Sequence, residues 1–140
     1  MTKTNPGHFF EDIALGQVIE HATPRTVTEG DRALYGALYP TRFAIPSSAA
    51  FASSCGLDPH PVEELIGFHI AFGKTVPDVS LNAVANLGYA ELRFHRPIRV
   101  GDTLSTRSEV IGLKQNSNGK TGVVYVRSTA TDTAGEVVID

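Results

Sequence analysis

The chain contains no tryptophan, one methionine and one cysteine, Cys55. A single thiol cannot close an internal disulfide, and no Cys-x-x-Cys pair is present to suggest a zinc site. The five histidines are scattered without metal-ligand spacing, so neither a metal nor a cofactor is expected. Cys55 reads as a small buried residue. No apolar run approaches the roughly 18 residues that a membrane-spanning helix needs. Residues 1–8 lack the apolar stretch of a secretory signal. Excess charge of one sign is also missing: 12 Lys and Arg against 15 Asp and Glu leave a formal net charge of −3, with no basic stripe. A surface of that kind does not suit the phosphate backbone of a nucleic acid. The remaining expectation is a cytoplasmic globular chain without nucleic-acid or membrane partners.

What is present suits one domain. The chain has 140 residues, 41% of them apolar and 19% charged, enough to bury a core without staples. Residues 1–8 read as a loose polar arm and residues 9–140 as a single domain. A short strand is expected over residues 17–23, ended by Pro24. Thr28 has the form of a helix N-cap, with Asp31 three residues on as a short capping-box partner. Ala33, Leu34, Ala37 and Leu38 follow at helical spacing, and Pro40 stops the helix. Residues 41–46 are not expected to be helical, because Pro46 disfavours that conformation at Ile45. Ser48 caps a short helix over residues 49–55, closed by Gly56. Pro61 then opens a longer helix at about 62–76, ended by Pro77. Its Leu65, Ile66, Phe68, Ile70, Ala71, Phe72 and Val76 lie nearly all the way around, which predicts burial on most sides.

Beyond Pro77 the period changes to two. Ala90, Leu92 and Phe94 alternate with Glu91, Arg93 and His95. Leu104, Thr106, Ser108 and Val110 alternate with Ser105, Arg107 and Glu109, and Val124, Val126, Ser128 and Ala130 repeat the pattern. Such alternation marks antiparallel strands with one packed face. Asn118-Gly119 is a hairpin signal, and residues 133–135 turn the chain into a last strand at 136–140. The brevity of that strand suggests a truncated sheet. The fold class expected is α+β, an antiparallel sheet wrapped around a central helix.

Particular residues point further. LGYAELRFHRPIRVGDTL at 87–104 and FFEDIALG at 9–16 resemble the motifs of the MaoC-like hydratase/dehydratase family, and in the same order. Residues 21–31, 72–78, 80–90 and 116–127 are similar to the N-terminal half of mesaconyl-CoA (2-methylfumaryl-CoA) hydratases within it. The resemblance implies a hot-dog fold, a coenzyme A thioester substrate, a hydro-lyase reaction and a second hot-dog unit as partner. The partner could be a fused half or another copy.

Hydrating an enoyl thioester needs a base for water, an acid for the α-carbon and donors for the enolate oxygen. The family supplies acid and base from a D-x-N-P-x-H segment. The resemblance places Thr41 at its Asp, Phe43 at its Asn and Pro46 at its His, and none of these can move the required protons. The family's His-Gly pair on the central helix falls on Ile66-Gly67, or in a looser register on Phe72-Gly73. Gly67 is therefore a candidate oxyanion donor through its N–H, or a glycine that permits close helix–sheet packing. His69 is either a core histidine or a proton carrier lining the acyl pocket. Lys74 is a candidate for binding the substrate's carboxylate or the coenzyme A phosphates, and Asp78 is a second substrate-binding candidate; otherwise the two form a solvated helix end. Arg93, Arg96 and Arg99 form a modest basic patch, and His95 is expected at the surface. Three functional readings stay open: the substrate-binding half of a hydratase, a self-contained homodimeric enzyme using His69, and a pairing module without catalysis. Thioester hydrolysis is a weaker fourth, with only Glu63 and Glu64 as carboxylates at the helix start.

Overall fold

The computed structural model describes residues 6–40 and 42–140. A 3-10 turn at Phe10–Asp12 precedes β1 (Val18–Glu20) and β2 (Arg25–Thr26). Three helices follow: α1 (Glu29–Leu38), α2 (Ala44–Ser47) and α3 (Ala49–Ser54). The long α4 (Glu64–Thr75) runs into a wide π-type turn, Val76–Ser80, and the chain closes with β3 (Thr103–Gln115), β4 (Gly122–Thr131) and β5 (Val137–Ile139). The sheet is antiparallel, in the order β1-β3-β4-β5, with β2 also paired to β3.

The alternation in β3 is the clearest link from sequence to packing. Leu104, Thr106, Ser108 and Val110 are buried while Ser105, Arg107 and Glu109 are exposed. The period-two rule predicts this for a sheet packed on one face. A bulge between Val110 and Gly112 then shifts the register. Gly119 turns the β3–β4 hairpin at φ +63°, as the Asn-Gly signal implies. The core lies between the sheet and α4, where Ile66, Ile70 and Ala71 meet Ile98, Leu104, Ala130, Val138 and Ile139. Gly67 is needed there, since a Cβ at that position would stand 1.9 Å from Ile98 Cδ1.

Several expectations need correction. Residues 44–47 do form one helical turn despite Pro46. Pro46 occupies the third helical position, where the missing N–H would have had no intrahelical partner. Pro77 does not stop the chain's helical path either; the path widens into the π-type turn that contains it. Cys55 is exposed rather than buried. It is the C-cap of α3, and of that helix only Ala52 reaches the core. The strand expected across residues 90–95 survives only at its end. Arg93 and Asp140 exchange backbone hydrogen bonds of 2.8 and 3.1 Å, and His95 N–H donates to Val138 at 2.9 Å. Glu91, at φ +57°, breaks the extended path just before. Nor is α4 buried on most sides: Leu65 is 41% exposed, and Phe68 and Phe72 are half-buried.

The arm is tied down where it is described. Asn82 Nδ2 donates to the carbonyls of Pro6 at 3.0 Å and His8 at 3.4 Å. His8 Nδ1 lies 2.6 Å from the Asp78 carbonyl.

Candidate functional site

Two arrangements could carry chemistry. The first is a buried chain of polar groups. Asp78 Oδ2 lies 2.8 Å from His21 Nδ1, His21 Nε2 lies 2.8 Å from Ser108 Oγ, and Ser108 Oγ lies 2.7 Å from Ser128 Oγ. The order Asp–His–Ser invites a nucleophilic reading. Access rules it out, because the His21 side chain and Ser108 are both 0% exposed. The chain instead fastens the π-type turn to β3 and β4 and satisfies groups that would be costly to bury unpaired. Asp78, a candidate substrate contact, is thus engaged inward.

The second is a groove of about 220 Å³ between α1 and α4. Leu34 and Leu38 from α1 face Ile66 and Ile70 from α4, with Tyr35 and His69 between them. Helical spacing supplies both walls, since positions three and four apart share a face. Tyr35 and His69 are in tilted contact at 6.1 Å between ring centroids. Arg25 and Asp31 also line the groove. A smaller cavity that shares Tyr35, Tyr39 and Ile66 with it is lined by Pro46 and Glu63 as well. Burial lifts the Tyr35 phenol above its ordinary pKa, and the Glu63 carboxylate and Tyr39 add to the rise, so the hydroxyl is held protonated.

The other sequence candidates are placed as follows. Phe43 is 76% exposed, Pro46 lines the narrow cavity, and Thr41 lies outside the described residues. Gly67 faces the core against Ile98 and Ile139, which gives it the packing role. His69 is exposed and lines the groove, not the core. Lys74 Nζ donates to Thr23 Oγ1 at 3.0 Å.

Two arginines of the basic patch, Arg96 and Arg99, are in ion pairs. Arg96 bonds Asp102 at 2.6 Å and Asp132 at 3.0 Å, while Arg99 lies 3.9 Å from Asp58. His95 is at the surface, 3.1 Å from Asp140. Burial pushes the Asp102 carboxyl up, but hydrogen bonds from Arg96 and the Arg99 N–H outweigh it and hold its pKa below the ordinary value. His21 and Arg25 were not among the sequence candidates. The partners of His21 lie 57 and 87 residues away, and Arg25 pairs with Asp31 six residues on, a spacing that carries no motif.

A sheet curled over one long helix, with short helices inserted ahead of that helix, is the hot-dog architecture. The chain belongs to the MaoC like domain family, whose match covers residues 11–133. It is 63% identical over 138 residues to the β-methylmalyl-CoA dehydratase of Chloroflexus aurantiacus, covering 99% of this chain and 39% of that protein. It is 61% identical to the mesaconyl-CoA hydratase of Cereibacter sphaeroides, covering 98% of this chain and 40% of the relative. A MaoC domain protein of Chloroflexus aurantiacus superposes with a TM-score of 0.91 at 62% identity, over 99% of this chain and 40% of its own. A Mycobacterium tuberculosis protein described as a double hotdog fold gives a TM-score of 0.81 at 33% identity, over 96% of this chain and 42% of its own. The chain thus spans about 40% of the length of the curated relatives it matches. Among the described residues, no helix is long and apolar enough to cross a membrane, and no cluster of His, Cys, Asp or Glu is set to hold a metal ion.

Proposed function

We propose that this chain is the substrate-binding hot-dog unit of a cytoplasmic acyl-CoA hydratase that acts on mesaconyl-CoA or a similar enoyl thioester. A second hot-dog unit supplies the groups that activate water. One observation carries the reading. At the positions that the resemblance gives to the family's proton-transferring Asp and His, this chain has Thr41 and Pro46, yet a cavity lies beside Pro46. The names of the relatives and the share of their length that the chain spans support it. A partner is further supported by exposed apolar residues on the segment after α4, where Val84 is 91% and Leu87 76% exposed. That segment leads into the sheet edge at residues 93–95, an edge of the kind that assemblies cover.

In this reading the acyl group enters along α4 and lies between Leu34, Leu38, Ile66 and Ile70. Lys74 and Asp78 act from behind the groove, bracing Thr23 and the π-type turn. The test is the loss of enoyl-thioester absorbance of mesaconyl-CoA. The 140-residue chain alone is expected to bind the thioester without turnover, and adding the second unit restores the rate. Turnover by the chain alone overturns the division of labour.

A second reading, a homodimeric enzyme complete in itself, rests on the exposure of His69 in the groove. It requires that rate, and its loss in His69→Ala. A chain that binds no thioester even in the full assembly would be a pairing module.

A further inference from the structure

The smaller cavity beside the groove reaches Pro46, at the position that the resemblance gives to the family's histidine. The groove itself is lined by aliphatic and aromatic side chains with His69, Asp31 and Arg25. Arg25 is the one arginine or lysine among its described lining residues, so an anionic group on the acyl tail has one guanidinium to meet there.

Arg25 is held for such a role. Asp31 pairs with its Nη2 and is itself fixed at the start of α1, accepting from Thr28 N at 2.9 Å and Thr28 Oγ1 at 2.8 Å. Burial pushes the Asp31 carboxyl up, but the bonds from Thr28 and Arg25 outweigh it and keep its pKa below the ordinary value. A guanidinium has five N–H donors in a rigid fork, so one pair orients it without exhausting it. The approach to Arg25 is also constrained. Thr23 adopts φ +60°, a left-handed conformation that a β-branched residue rarely takes. Its hydroxyl accepts from Lys74 Nζ at 3.0 Å and donates to the Ala22 carbonyl at 2.7 Å. Pro24 follows, with its own fixed φ. Strain of this kind persists where the surroundings hold it, and here the Lys74 bond holds it two residues before Arg25. The other arginine near the groove, Arg32, lines the narrow cavity and is paired with Glu29 at 2.9 Å.

We infer that Arg25 is the specificity-determining residue of the groove and reads a free carboxylate at the far end of the acyl group, with Lys74 as its positioning residue through Thr23. That carboxylate is the one left free in the mesaconyl thioester proposed above. This inference rests on the acyl-groove reading above and adds to it the residue that selects the tail.

The experiment uses two non-reactive thioether analogues of coenzyme A with five-carbon chains, one ending in a carboxylate and one in a methyl group. Each is titrated calorimetrically into the intact protein. The carboxylate analogue is expected to bind at least about tenfold more tightly, a difference typical of one charged hydrogen-bonded contact. Arg25→Leu should remove that preference and leave the methyl analogue's affinity in place, which also shows that the groove is folded. Arg25→Lys should keep part of the preference. Lys74→Met should reduce it without touching the methyl analogue. Equal binding by the wild type, or a preference that survives Arg25→Leu, overturns the assignment of Arg25 alone. Binding of neither analogue overturns the acyl-groove reading and the inference with it.

Discussion

The two sides of α4 carry side chains of the same kind and meet different surroundings. Toward the sheet, Ile66 and Ile70 are 5% and Ala71 7% exposed, packed against aliphatic side chains of the strands and of the loop before β3. On the other side Leu65 is 41% exposed. Phe68 and Phe72 stack there at an interplanar angle of 9°, and Tyr89 meets them edge-on at 5.0 and 5.3 Å between ring centroids. Apolar composition therefore states how much cover a helix wants, not where the cover comes from. The sheet of this chain covers one side. The rest is met by a few aromatic contacts and by the groove under α1.

Breaking the contrast at its strongest point gives the largest effect. Ile70→Ala removes buried methylenes from the core and should cost about 3 kcal/mol, within the ~2–5 usual for such cavities, read as a fall in the urea midpoint. A cost below about 1 kcal/mol would mean that the sheet side of α4 is no better packed than the other.

A change at the sheet's rim asks whether stability is concentrated on α4 at all. Arg96→Leu leaves Asp102 and Asp132 without their cation and should lower the urea midpoint at neutral pH by less than Ile70→Ala does. Both carboxyls have lowered pKa values in the folded chain. Their contribution is thus present above the unfolded carboxyl pKa of about 3.9 and is lost as pH falls through the folded values. In acid the wild type should lose this increment while Arg96→Leu, already lacking it, loses less. Parallel stability curves for the two proteins would count against the ion-pair network.

The smallest effect is expected on the outer side of α4. Phe72→Ala should cost no more than about 1 kcal/mol in the chain by itself, since the ring is only half withdrawn from water. A loss as large as that of Ile70→Ala would show that the two sides are equivalent.

Much of the fold could be read locally. The Thr28–Asp31 cap, the alternation along β3 and the Asn118-Gly119 turn are each set by residues within a few positions of one another. The helical turn at Pro46 was hidden because a proline disfavours helix before itself yet costs little in a first turn. The short end of the strand near Phe94 was hidden because the alternation from Ala90 onward does not report the left-handed Glu91. At the site, a motif singles out Thr41, Phe43 and Pro46 as departures from the family's pattern. His21 and Asp78 are 57 residues apart, and no periodicity connects them. Arg25 belongs to no local motif, and its place on the groove follows only from the packing of α1 and α4.

The contact between Phe10 and β4 has a mechanical consequence. The Phe10 ring lies so close to Gly122 that a Cβ there would stand 2.3 Å from it. Residues 6–8 are hydrogen-bonded to Asn82 just ahead of that ring. A pull applied through this segment is therefore delivered first to the turn after α4 and to the start of β4.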